Sequence, residues 1–336
     1  GHPARSSTQG APARRVMTAT ATLRQSESSS ATPRRRSRRS AAARRLAAGE
    51  VPPPLTPRLQ LIRASLVLVL VLTVTLLAQL VLISSFQQSA AQGRAFDRYR
   101  AELANGTAPI GPTDQEGRQL AIGTPVAYLE IPSIDVAQVV GEGTTSTALF
   151  DGPGHRRDTP LPGQIGSSVV YGRRAAFGGP FERIGELAEG DLIRVTTGQG
   201  VFEFRVIGVR AEGMPAPAPP EAGEGRLMLV TAAGRAFLPD GVLRVDAELD
   251  GDAVVGPARL FAASALPTSE RVMTGDASTL WVLAFWLQAL IALSLAAVWA
   301  WHRWGRAQAW VTLLPPLVLV GLSASGEVAR LLPNLL

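Results

Sequence analysis

Between Asp191 and Val209 the chain reads DLIRVTTGQGVFEFRVIGV, two β-branched and aromatic runs, Leu192–Thr197 and Val201–Val209, broken by Gly198-Gln199-Gly200. Side chains of that kind suit a pleated, half-buried surface, and glycine punctuates them. The same grammar recurs on either side. Val126–Ile131, Val136–Val140 and Ser167–Tyr171 precede this stretch, and Leu227–Thr231 and Leu243–Leu249 follow it. Gly and Pro interrupt the runs throughout, and Pro215–Pro220 (PAPAPP) makes one stiff connection. No helix of any length intervenes, so the pattern predicts a mainly β fold, a closed antiparallel β-barrel of about eight strands, over βαβ units.

Outside this region the chain changes character. Residues 1–63 hold thirteen of the 33 Arg against only Glu27 and Glu50. Arg, Ser, Ala, Pro and Gln dominate there, too little apolar surface to order a chain, so 1–63 reads as a disordered, Arg-rich cytoplasmic tail. The tail is drawn to anionic lipid, and no aromatic residues interleave with its arginines, so no nucleic-acid partner is expected. An uncharged run, ASLVLVLVLTVTLLAQLVLISSF, then spans residues 64–86 and reads as an uncleaved transmembrane anchor.

Two further apolar runs lie near the other end, a transmembrane helix over 278–302 and a third segment over 309–325. The third is short and contains Pro315-Pro316, and reads as a kinked crossing or a re-entrant segment. Arg303 and Arg306 sit between these runs with no acid nearby. Arginine accumulates on the cytoplasmic side, so the expected arrangement is multi-pass in the plasma membrane. The N-terminus is then cytoplasmic, and a lead helix and linker (87–119), the barrel (120–252) and a linker (253–277) are extracytoplasmic. Residues 87–277 carry seventeen Arg against twenty-four Asp and Glu, an acidic body behind a basic head.

Composition removes several chemistries. The chain has no Cys, hence no thiolate nucleophile, disulfide or thiolate metal site. All 33 basic residues are Arg, so Schiff-base and P-loop lysine chemistry are absent. Three scattered His (His2, His155, His302) do not make a multi-His zinc site. Neither a cofactor nor a metal is expected.

Several blocks in sequence resemble the sortase family, the membrane-anchored cysteine transpeptidases of Gram-positive bacteria. They are YLEIPSIDVAQVVGEG (Tyr128–Gly143), DGPGHRRDTPLPGQIGSSVVYGRR (Asp151–Arg174), FGGPFERIGELAEGDLIRVTT (Phe177–Thr197), RLMLVTA (Arg226–Ala232) and VLRVDAEL (Val242–Leu249). The chain looks most similar to actinobacterial members with extra C-terminal membrane helices. The resemblance implies a sortase-like barrel and a cleft for an extended peptide along a strand edge.

It also implies where chemistry belongs. Family members carry a catalytic His in a G-H-R triplet; here the triplet is Gly172-Arg173-Arg174, with Arg173 at the histidine position. Their nucleophile is the Cys ending a T-L-x-T-C strand, and here Thr231 is followed by Ala232. Their transition-state arginine opens the next strand, where Val242 stands. A methyl group has no lone pair to attack a carbonyl, a guanidinium exchanges no proton near neutrality, and an isopropyl group donates nothing to an oxyanion. The expectation is therefore a catalytically inactive, pseudo-sortase protein at the cell surface that binds or scaffolds partners of surface-protein or pilus anchoring. Those partners are an extracytoplasmic protein or peptide segment, the lipid bilayer, and a membrane-protein complex.

His155, Arg174, Thr231 and Arg244 are the candidate peptide-cleft residues. Two other functions stay open: an active transpeptidase or hydrolase with a non-cysteine nucleophile, and a receptor coupling the barrel to the basic tail. Against the former, strand alternation turns the Thr231 hydroxyl to the face opposite Ala232.

Overall fold

The computed structural model describes residues 56–257, 262–304 and 306–336. The expected Arg-rich tail, up to residue 55, lies outside the described residues.

Eight strands close into a barrel: β1 (Pro125–Ile131), β2 (Val136–Glu142), β3 (Gly154–His155), β4 (Gly166–Tyr171), β5 (Leu192–Thr197), β6 (Gly200–Ala211), β7 (Gly225–Arg235) and β8 (Leu238–Leu249). Their order around the barrel is β1-β2-β3-β4-β7-β8-β6-β5. The hydrophobic alternation predicted this closure, which leaves no edge unpaired. It did not predict two of the joints. β2 pairs with β3, and β4 with β7, in parallel, so the barrel is mixed rather than antiparallel. A β4–β7 parallel joint requires the chain to pass through β5 and β6 before returning, a long-range choice that strand composition does not encode. β3 is a two-residue strand, too short to leave a periodic signal.

Inward side chains of every long strand fill one core. It includes Val126, Leu129 and Ile131 of β1, Val170 of β4, Ile193 and Val195 of β5, Phe204 and Val206 of β6, Leu227 and Leu229 of β7, and Val245 and Ala247 of β8. Spacing by two marks the interior face, broken only near the start of β1, where a register irregularity lies between Pro125 and Ala127.

Four helices complete the described chain. α1 (Pro57–Ala78) runs through a π-helical turn at Gln79–Ile83 into α2 (Ser84–Ala104). α2 lies against the barrel through polar side chains and an apolar patch of Ala95, Phe96, Tyr99 and Leu103 on Tyr128 and Val139. The Gln92 side chain accepts from the Val139 amide at 2.7 Å and donates to the Val139 and Asp151 carbonyls at 3.1 and 2.7 Å, so it pairs with β2 much as a strand would. Tyr99 is buried, and its hydroxyl lies 3.0 Å from the Val126 carbonyl and 3.2 Å from that of Thr196.

α3 (Leu280–Trp304) and α4 (Arg306–Leu331) pack as a hairpin. Two helical stretches, Ala277–Ala300 and Val311–Leu331, are long and apolar enough to cross a membrane. α4 is one helix of 26 residues that includes Pro315 and Pro316 and covers the third apolar segment at 309–325. At about 1.5 Å per residue it reaches roughly 39 Å, more than a hydrocarbon core requires.

Candidate functional site

On the outer face of β4, β7 and β8 the alternation leaves a second apolar surface: Val169 and Tyr171, Val230 and Ala232, and Val242. Ala232 and Val242 are register partners across β7 and β8. Arg173 lies two residues beyond β4, and the intervening Gly172 amide still donates to the Val230 carbonyl at 3.0 Å. Strand pairing thus brings positions 173, 232 and 242, far apart in sequence, to one corner of the barrel.

That corner is filled by the chain itself. Leu335 is fully buried against the same apolar cluster, with Leu149 beside it and Val272 and Met273 at its margin. Burying one leucine side chain contributes about 1.5–3 kcal/mol. The Leu335 carbonyl accepts from the Arg174 amide at 3.0 Å. The buried Asn334 side chain donates to the carbonyls of Thr144 and Arg271, both at 2.9 Å, and its own amide donates to Thr274 at 2.9 Å. Residues 332–336, which follow α4, therefore lie over the floor as a strap, side by side with 271–274, which precede α3.

Arg173 is the largest fully buried side chain among the described residues. Its Nη1 donates to the Leu336 main-chain oxygen at 3.0 Å, and Nη2 donates to the carbonyl and hydroxyl oxygens of Ser146 at 3.0 and 2.9 Å. Two rings flank it. The guanidinium carbon lies 4.8 Å from the Phe150 centroid and 5.1 Å from that of Phe177, and the two rings stack at 3.9 Å. No Asp or Glu carboxylate pairs with it among the described residues, and its Nε has no acceptor. Burial pushes its pKa down to about 9, still well above neutrality, so the cation persists without serving as an acid or base at pH 7. Phe177 adopts φ +54°, a region costly for a bulky residue, and is held there by Phe150, Arg173 and the Ser84 hydroxyl, which accepts from the Phe177 amide at 3.2 Å.

The remaining candidates separate into two groups. Arg174 reaches the Ala232 carbonyl at 3.2 Å and borders the floor. Arg244 is half-buried on β8, paired in register with Val230 and Arg210, and its charge acts on Tyr171. Thr231 points into the barrel and is fully buried, with its hydroxyl donating to the Gly172 carbonyl at 2.8 Å. That hydroxyl does not face Ala232.

His155 occupies a different niche, on β3 opposite Val170, beside a small cavity of about 20 Å³ lined by Glu142, Arg157, Thr159 and Pro160. Its Nδ1 lies 2.8 Å from a Glu142 carboxylate oxygen and its Nε2 lies 2.9 Å from the Pro160 carbonyl. Both partners accept, so both ring nitrogens are best served by donating. Burial alone would depress the imidazole, but the Glu142 charge and hydrogen bond, the Pro160 carbonyl and the Asp158 charge together raise its pKa. The Thr159 hydroxyl, 3.2 Å from Nε2, already donates to the Arg156 carbonyl at 2.7 Å. With Nδ1 on Glu142 and Nε2 on Pro160, neither ring nitrogen is left to take a proton from a hydroxyl, so this grouping is built to clamp rather than to activate.

Sequence reasoning missed Ser146, Phe150, Asn334 and Leu335. Nothing in LLPNLL (Leu331–Leu336) marks it as a groove occupant; it reads as the end of an apolar run. No group of three or more His, Asp or Glu suited to a metal ion occurs among the described residues.

Comparison with known proteins bears on this barrel. Residues 129–233 match the family model described as Sortase domain. Sortase D of Bacillus subtilis (strain 168) is 34% identical over 85 residues, which are 25% of this chain and 41% of the relative, so the chain spans about two fifths of that protein's length. A Sortase D5 transpeptidase of Clostridium perfringens is similar with a TM-score of 0.41 and 20% identity, over 48% of this chain and 99% of that one. A sortase E of Streptomyces avermitilis is 26% identical with a TM-score of 0.34, over 45% of this chain and 100% of that one. The match to the sortase domain is thus confined to residues 129–233, the stretch that carries most of the barrel.

Proposed function

We propose that this protein is a catalytically silent, membrane-anchored sortase-like scaffold, with its barrel outside the plasma membrane and its N-terminus in the cytoplasm. One observation carries the reading: Ala232, at the expected nucleophile position, is fully buried beside Val242 and packed with Leu335. A transpeptidase must bring a carbonyl carbon within about 3–3.5 Å of its nucleophile. Here there is neither a nucleophile nor space for the carbonyl. The buried Thr231 hydroxyl and the doubly engaged His155 supply no substitute. The alternative of a non-cysteine nucleophile therefore has no pair of groups to act through at this corner.

What remains is a folded barrel joined to a helical hairpin. Its role is to hold an extracytoplasmic protein or peptide segment, or to organise a membrane-protein complex, in surface-protein anchoring. The purified full chain in lipid nanodiscs, incubated with sorting-type peptides and an amine acceptor, should yield no cleaved or transferred product above the peptide-only background by mass spectrometry. Turnover well above that background would end the reading.

A further inference from the structure

The segments on either side of the α3–α4 hairpin meet over the groove. Asn334 donates through its amide to the Thr274 carbonyl and through its side chain to that of Arg271, and the Asp276 amide donates to the Arg330 carbonyl at 2.8 Å. A Cβ on Gly275 would come within 2.3 Å of the Leu331 carbonyl, so the two segments touch closely. Both are also tied to the loop after β2. The Thr144 hydroxyl donates to the Glu270 carbonyl at 2.7 Å, Asn334 donates to the Thr144 carbonyl, and the Ser146 hydroxyl contacts the Leu332 carbonyl at 3.4 Å. Glu270 is buried and paired with Arg157, whose Nε lies 3.0 Å from the carboxylate.

These contacts are of two kinds. Leu335 sits in the apolar slot, Leu332 packs beside Phe177 and Ala329, and Leu336 is buried; the rest of the hold comes from hydrogen bonds to main-chain oxygens and from one cation, Arg173, which has no Asp or Glu partner among the described residues. Each bond can be re-formed with water or with another peptide backbone, and the apolar slot under Leu335 accepts any side chain of similar size. The strap and the hairpin are one continuous chain, so displacing α4 relative to the barrel would draw Leu335 from its slot.

We propose that residues 332–336, with 271–274 alongside, form a removable cis strap that closes the groove, and that the α3–α4 hairpin controls whether the groove is open. This rests on the scaffold reading above and deepens it: a partner segment gains the corner between Arg173 and Ala232 only when the strap leaves.

The chain contains no Cys, so Ala232→Cys introduces one reporter thiol. In full-length protein in nanodiscs, that thiol should react with a maleimide about a hundredfold more slowly than one introduced by Glu221→Cys at an exposed site, because it labels only through local opening. Adding Leu335→Glu should speed labelling of position 232 by about tenfold or more, while adding Asn334→Ala should do so severalfold with the apolar slot intact. A synthetic LLPNLL peptide should slow labelling again in the Leu335→Glu background.

Equal rates at positions 221 and 232, or no acceleration in either strap variant, would overturn the proposal. So would acceleration that the peptide fails to reverse. If Leu335→Glu abolishes the folded barrel, the Asn334→Ala measurement decides. Turnover by the wild-type chain with a protected position 232 would sink the silent-scaffold reading and leave the strap. An unprotected position without turnover would do the opposite.

Discussion

The guanidinium of Arg173 donates to the main-chain oxygen of Leu336 at 3.0 Å, across 163 positions of sequence. That bond joins the end of β4, where the sortase resemblance puts a catalytic histidine, to the segment leaving the last helix. Where the resemblance implies a proton-transfer residue, this chain has a group that fastens chain to chain.

Because Arg173 is a buried cation without an Asp or Glu partner among the described residues, its stability effect depends on what replaces it. Arg173→Ala leaves a void beside the stacked Phe150 and Phe177 rings and strips donors from Ser146 and Leu336, and should destabilise the barrel by about 2–4 kcal/mol. Arg173→Met keeps the volume and removes the desolvated charge, and should stay within about 1.5 kcal/mol of wild type. Urea midpoints of the detergent-solubilised protein would rank them; a methionine variant as weak as the alanine variant would contradict this account.

The His155 clamp predicts a pH dependence of defined sign. Its pKa is raised in the folded state, so the stability it supplies is complete below the ordinary imidazole value of 6.5 and is lost as pH rises through the raised folded value. Unfolding midpoints should therefore fall as pH rises from 6 through the raised folded value. His155→Gln should lower the midpoint at pH 6 and flatten the slope. A wild-type midpoint that climbs over that range would refute the clamp.

Tyr99 should anchor α2 to the barrel. Tyr99→Phe keeps the ring and leaves the Val126 and Thr196 carbonyls without its hydroxyl, at a cost of about 1–2 kcal/mol. Gly152→Ala should loosen the same helix at its other contact. At φ +150°, the added Cβ would come within 2.0 Å of the Gln92 Nε2 that holds β2. Faster amide exchange at Val139, whose N–H bonds to Gln92, would report it; unchanged protection would show that Gln92 does not hold this edge.

Restoring reactive groups tests the degenerate corner directly. Ala232→Cys with Arg173→His and Val242→Arg should confer measurable peptide hydrolysis, since Ala232 and Val242 are register partners and position 173 adjoins them. Adding Leu335→Glu should raise it further by clearing the floor. Product formation that is independent of the strap substitution would indicate that peptides reach the corner by another route.

The proposed orientation has a simple check. Protease added outside intact cells should digest the barrel and spare an epitope placed in the Arg-rich tail. Loss of the epitope with an intact barrel would invert the topology.

Much of the fold was written in short-range pattern. Alternation by two in Leu192–Thr197 and Val201–Val209 marks strands because burying one face requires it, and unbroken apolar runs mark membrane-length helices for the same reason. The identities of Arg173, Ala232 and Val242 settle which chemistry those side chains can perform, since reactivity belongs to the functional group. Tertiary structure decided the rest. The parallel β4–β7 joint, the engagement of both His155 nitrogens and the strap over Ala232 each depend on partners distant in the chain. Leu335 looks like any leucine near a membrane run. Its place against Val230 and Tyr171 follows only once strand order and the α3–α4 hairpin bring it there, because packing is selected by the space available and leaves no local period to read.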